Sequence, residues 1–153
     1  MATGSIVVRG STADRRAEIR KAARWILSHF VGARRTAHIR LSIRFSSRIE
    51  REGLRGECAW TDCNVMPREF TILIATSLSL RLQLLTLAHE LTHVKQYVTG
   101  TIFDFSRHSH LTRWKHRVVN TNRVAYKNFP WEREALKLEH PTIKAYKASL
   151  KIL

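Results

Sequence analysis

The residues with the clearest capacity for chemistry are His89, Glu90 and His93, which form His-Glu-Leu-Thr-His inside LTLAHELTHVKQY, residues 85–97. On a helix, side chains four apart project from the same face one turn apart. Two imidazoles in that relation can take two corners of a tetrahedral zinc. Glu90 is offset around the helix, where its carboxylate reaches a metal-bound water without being a ligand. Zinc acidifies that water and the carboxylate accepts its proton, which makes Glu90 the candidate general base. The pentapeptide alone is a weak signal. Its weight comes from its surroundings: Leu91 and Thr92 are uncharged, and the flanking sequence reads as a buried helix.

A zinc hydrolase site needs a third protein ligand and one open position. The downstream candidates are His108, His110, His116, Glu132, Glu134, Glu139 and His140. The stretch FPWEREA, residues 129–135, stands out because its acids open a helix just after Pro130 in an otherwise base-rich region. Glu132 and Glu134 lie about 200° apart around such a helix, so both cannot face one metal. An oxyanion donor is also required. Tyr126 is the first candidate, with the three histidines at 108, 110 and 116 as alternatives.

The elements that must position these groups can be read from periodicity. Ser11 and Asp14 have the spacing of a capping box. Ile19, Ala22, Ala23, Ile26, Leu27 and Phe30 then mark one face of an N-terminal helix, with Gly32 as a stop. Strict alternation over residues 38–45 predicts a half-buried strand whose outer face carries Arg40 and Arg44. A weaker strand is expected over 56–61 and another over 69–75. Residues 6–8 are a further short candidate. Ser77 or Ser79 caps the central helix, whose stripe of Leu80, Leu84, Leu87, Leu91, Val94 and Val98 ends at Gly100. Residues 101–130 show no strong periodicity. A last helix begins at Trp131, and Pro141 is expected to kink or divide it. The fold class is therefore α+β: one domain over 1–153, with an N-terminal helix, a small three-stranded sheet, the His-Glu-Leu-Thr-His helix and a C-terminal helix bearing the third ligand. A strand shortly before the central helix would set a sheet edge beside the metal, able to hold an extended peptide by main-chain hydrogen bonds.

Composition bounds the partners. The chain has 153 residues, with 27 Lys and Arg against 12 Asp and Glu, a formal charge of +15. Such an excess favours nucleic acid or another polyanion. Arg113, Lys115 and Arg117 surround Trp114, with further cations at Arg107, Arg123 and Lys127. Cations interleaved with aromatic rings can follow a phosphate backbone and stack bases; the other reading is a solvated loop whose Trp114 packs down on the core. This segment links the two expected metal-binding stretches and should border the cleft. Cys58 and Cys63 lack the spacing of a zinc knuckle and are expected to be reduced thiols, as in a reducing compartment. No apolar run approaches ~18 residues, so no membrane helix is expected. Asp14 and Glu18 interrupt the Arg-rich N-terminus and argue against a transit peptide, and no signal peptide is expected. A cytoplasmic monomer is the resulting expectation.

LAHELTHVKQY, the later Tyr126 and PWEREA resemble a family of small zincin-type metallopeptidases of bacteriophages, the SprT-like metallopeptidases. MPREFTILI, ahead of the central helix, is similar to a strand of the same family. The resemblance covers about residues 56–136. It implies a minimal zincin: zinc on His89 and His93, Glu90 as general base, and activity on peptide bonds in a host-cell cytoplasm, with proteins bound to nucleic acid as substrates. The E-x-x-A pattern of several gluzincin families matches Glu132 to Ala135 and favours Glu132 over Glu134. SprT-type domains use a histidine instead, which keeps His108, His110 and His116 in play. Two positions depart from the pattern. Leu136 stands where gluzincins place an Asp or Asn that orients a zinc histidine, and Lys95 where an apolar residue is more common. The sequence thus supports a zinc-dependent metallopeptidase acting on a protein or peptide. A basic nucleic-acid-binding module, with zinc structural or absent, is the competing reading.

Overall fold

Alternation along residues 40–46 and 69–75 puts Leu41, Ile43, Phe70, Ile72 and Ile74 on one face of a sheet, and these five are at most 2% exposed. The computed structural model describes residues 4–105 and 109–152. In chain order it contains β1 (Ser5–Arg9), α1 (Ala13–Thr36), β2 (Arg40–Ser46), the short α2 (Ser47–Arg51), β3 (Gly56–Trp60), β4 (Glu69–Ala75) and α3 (Leu80–Val98). Then follow β5 (Ile102–Asp104), β6 (Leu111–Trp114), β7 (Arg117–Asn120), a 3-10 turn (Tyr126–Asn128) and α4 (Pro130–Leu150). The class is α+β, as expected.

The main sheet has four strands rather than three, in the order β1-β2-β4-β3. Residues 6–8 extend to a full strand, and β1 pairs with β2 in parallel, Ile6 beside Leu41 and Val8 beside Ile43. Five residues are too few for alternation to declare itself; pairing supplies what the pattern lacks. β2 and β4 are also parallel, whereas β3 runs antiparallel to β4 and forms an edge. Buried residues of α1 and α3 join those of the strands in one core, while Arg40 and Arg44 stay exposed on the other face.

Helix boundaries follow local chemistry. Thr12, not Ser11, caps α1, its hydroxyl accepting from the Arg15 N–H at 3.2 Å. Gly32 breaks the helix with φ 86°, as a stop there requires, but one more turn continues to Thr36. Ser79 caps α3. Leu87, Leu91 and Val94 are fully buried, each contributing about 1.5–3 kcal/mol of burial. α4 runs through Pro141 without dividing. The lost bond and the ring clash cost roughly 3 kcal/mol, and burial of Thr142, Ile143 and Tyr146 just beyond holds the helix in place.

Residues 101–130, where no periodicity was visible, contain a second sheet, β5-β6-β7. Its strands have three or four residues, too short for an alternation signal. β6 and β7 join through Lys115-His116, with Lys115 at φ 57°. Glycine or asparagine normally marks such a turn, and neither is present. Asp104 ties this sheet to the rest of the molecule. It accepts from the Tyr97 hydroxyl at 2.6 Å, from the Thr112 hydroxyl at 3.1 Å and from the Trp60 indole at 3.5 Å.

Trp114, for which base stacking and core packing are both open from sequence, is buried. It packs with Ile102 and Trp131, the two indoles 6.3 Å apart. Trp114→Ala is therefore expected to cost about 3–5 kcal/mol of stability, read as a fall in the denaturant midpoint. Unchanged stability together with weakened single-strand binding would restore the stacking role.

Candidate metal centre

Helix α3 presents His89 and His93 towards the first turn of α4, where Glu132 lies. Glu132 Oε2 is 3.0 Å from His89 Nε2, and Oε1 is 3.0 Å from His93 Nε2. One donor atom from each residue lies within 4.8 Å of the others, a His-His-Glu cluster that could hold a metal ion. Pro130 at the first position and the buried Trp131 fix the start of α4 and so the place of Glu132. Glu134 faces elsewhere and accepts from Gln96. His110 and His116 sit at the small sheet, outside the cleft, and His140 is exposed on α4. His108 and Arg107 fall outside the described residues.

The histidine tautomers can be argued from the surrounding network. Gln96 is 1% exposed, and its Nε2 donates to the Trp131 carbonyl at 3.0 Å and to Glu134 at 3.2 Å. Its Oε1 must then accept, so His93 Nδ1, 2.9 Å away, is the donor. A neutral His93 consequently carries its lone pair on Nε2, the atom that faces Glu132. A lone pair and a carboxylate oxygen 3.0 Å apart require something positive between them, either a proton or a cation. His89 Nδ1 is buried with no hydrogen-bond partner, and Glu139 Oε1 is 3.9 Å away. The same Glu139 oxygen receives the Arg55 guanidinium at 2.9 Å. A small ring rotation would bring Nδ1–H onto Glu139, giving each histidine an outer partner, as metal-bound histidines have. The donor set and its supports fit a divalent cation.

Gln96, bonded to His93 Nδ1, is a partner of the kind Leu136, half exposed, cannot supply, whereas Glu139 stays 3.9 Å from His89 Nδ1 without a hydrogen bond. Glu139 lies seven residues after Glu132, two helical turns along the same face. Gln96 follows His93 by three. Neither role was assigned from sequence, although both spacings are legible once the site is known. Gln96→Leu removes the acceptor from His93 Nδ1 and is expected to lower any metal affinity of the cluster about 10- to 100-fold, measured against a chromophoric chelator.

Glu90 lies beside the cluster, 6% exposed. Burial pushes its carboxyl up to about 7, against the lowering influence of His93 and His89. Burial also works to raise Glu132, but the hydrogen bonds from His89 and His93 outweigh it and hold that carboxyl far below the usual range. Gly56 on β3 makes room for Glu90: a Cβ there would come 2.5 Å from the Thr86 methyl and 2.8 Å from Glu90 Oε1. Lys95, on the edge of α3, holds its ammonium over the Phe30 ring, away from the cluster.

No protein-family model, curated protein or solved structure matches this chain.

The cleft beside the cluster has a volume of about 280 Å³ and is lined by Arg55, Gly56, His89, Glu90, Tyr126 and Glu132, among others. Tyr126 is two-thirds exposed as a residue and lines this cleft together with Glu132. Burial of the Tyr126 hydroxyl and the Glu132 charge raise its pKa. Of the basic segment, Lys127 lines the cleft, whereas Arg113, Trp114, Lys115 and Arg117 do not. The three cations are exposed on the small sheet, with Arg113 over the Phe103 ring at 5.2 Å and Lys115 over Trp114 at 5.8 Å. The expectation that this cluster borders the cleft is thus corrected. The described helices include none long and apolar enough to cross a membrane.

Proposed function

We propose that this chain is a zinc-dependent peptide hydrolase. The observation that carries the reading is the convergence of His89 Nε2 and His93 Nε2 on the two oxygens of Glu132, each at 3.0 Å, with Glu90 buried alongside at the floor of an open cleft. Three nitrogen and oxygen donors leave a tetrahedral cation one free position, the pattern of hydrolytic zinc sites rather than closed structural ones. When bound, the cation supplies the positive charge that acidifies water and polarises a carbonyl.

The remaining roles belong to the chain. Glu90 takes the proton from the attacking water on its carboxylate and returns it to the departing amine. Burial of that carboxyl favours its taking up the proton. Gly56 keeps that carboxylate against β3. The Tyr126 hydroxyl, in the same cleft as Glu132, is placed to donate to the oxygen on which negative charge develops. β3 is an antiparallel edge, so an extended peptide can add to it across the mouth of the cleft.

The test is hydrolysis of an unfolded protein substrate. Activity is expected from the purified chain, lost on chelation and regained with zinc. A protein that binds one zinc but leaves unfolded and nucleic-acid-bound proteins intact would favour the binding-module reading.

A further inference from the structure

Arginine is the residue in which the +15 charge is most concentrated, and much of it lies on α1 rather than on the segment between the metal-binding helices. α1 carries Arg15, Arg16, Arg20, Lys21, Arg24, Arg34 and Arg35 against Asp14 and Glu18. At its C-terminal end, Arg34 and Arg35 meet His38, which precedes β2, and Arg68, which precedes β4. Together with Val31 these residues line a cavity of about 430 Å³. Its lining contains no carboxylate. Among the described residues no carboxylate pairs with the Arg34, Arg35 or Arg68 guanidinium; Asp62 lies nearby but accepts from the Arg68 main-chain N–H at 3.0 Å. Arg68 is half-buried and anchored through Nη1 to the Pro67 carbonyl at 2.9 Å. Its guanidinium is therefore held rather than free to swing into solvent.

Favourable interaction of Arg34 and Arg35 with the helix C-terminus explains part of this arrangement. It does not explain Arg68 or His38, which come from other segments. Three arginines lining one cavity repel one another, and an anion bound there offsets that repulsion. Their planar forks match phosphate oxygens. Further along α1, Arg20, Lys21 and Arg24 line a second groove beside Trp25, also without an acidic residue. Arg24 lies roughly 10 Å of helix before the break at Gly32, with Arg34 beyond it, a span that faces several successive phosphates of one strand at about 3.4 Å per charge. Two acid-free basic grooves on one helix suit a chain of phosphates better than a single one.

We infer that the Arg34–Arg35–His38–Arg68 pocket is a phosphate site for a nucleic-acid backbone, continued along the outer face of α1. It shares no residue with the metal cleft. Docking there leaves the cleft open.

The experiment measures binding of labelled single-stranded and duplex oligonucleotides to the full chain by fluorescence anisotropy, across roughly 50–200 mM salt. Arg34→Gln/Arg35→Gln/Arg68→Gln is expected to weaken binding at least ten-fold at low salt and to lower the slope of log affinity against log salt by about 2–3, the share of three lost phosphate contacts. Arg34→Gln/Arg35→Gln alters only exposed side chains and should show about two-thirds of that change in slope. Arg113→Gln/Lys115→Gln/Arg117→Gln should change the slope less than the pocket triple does. In the wild-type protein, the His38 imidazole resonances should shift as oligonucleotide is added. Four results would overturn the inference: unchanged affinity in both pocket variants, a larger effect from the loop triple, a His38 shift with inorganic phosphate but not with oligonucleotide, or equal affinity for polyglutamate at the same salt. None of these readouts requires peptide hydrolysis, so they stand or fall separately from the enzymatic reading.

Discussion

Glu132→Ala is expected to lower zinc affinity by more than the roughly 100-fold that loss of an outer partner can cost, because Glu132 touches both imidazoles directly. The change leaves two buried histidine nitrogens facing an empty carboxylate position. Glu134→Ala should cost far less. Glu134 reaches the cluster only through Gln96, and Gln96 keeps its bond to the Trp131 carbonyl and its contact with His93. Competition with a chromophoric chelator measures both. A larger loss in Glu134→Ala would move the ligand to that residue and show that the first turn of α4 rotates when the cation binds.

Glu90→Gln should leave zinc affinity and fold intact while reducing peptide hydrolysis roughly 100-fold or more. The amide fills the same volume against Gly56 and Thr86, so no cavity forms. It cannot accept and return a proton at neutral pH. Thermal stability should stay level or rise, because the wild-type carboxyl sits where burial opposes its charge. A variant that keeps zinc and also keeps full activity would remove Glu90 from the mechanism. One that loses zinc together with activity would make Glu90 part of the metal cluster instead.

Long periodic elements were legible because their apolar stripes are repeated enough to stand out: α1, β2, β4 and α3 lie close to where alternation or helical spacing puts them. The small sheet was not, because three- and four-residue strands have no room for a pattern and Lys115 occupies a turn position normally marked by glycine. His89, Glu90 and His93 are adjacent in sequence, so their geometry follows from one helix. Glu132 needed a second helix, and only its setting in FPWEREA pointed to it. Gln96 and Glu139 are ordinary polar residues by type. Their meaning comes from facing inward at 1% and 6% exposure, a property of packing between α3 and α4 that no local pattern announces. Trp114 was legible only as a choice between two roles. An aromatic among cations resembles a stacking platform until its burial against Trp131 is known.

His89 and Glu132 are 43 residues apart, and the entire β5-β6-β7 sheet lies on the chain between them. A cation shared by these two side chains is therefore a reversible cross-link that closes a loop around the smaller sheet. By the chain-entropy measure used for disulfides, closing a loop of that size is worth roughly 3–5 kcal/mol. Three short strands and a small aromatic cluster have little stability of their own. If the cluster holds a cation, its supply would also set how firmly one wall of the protein is stapled to the other, and metal loss would be a route to partial unfolding that spares the four-stranded sheet.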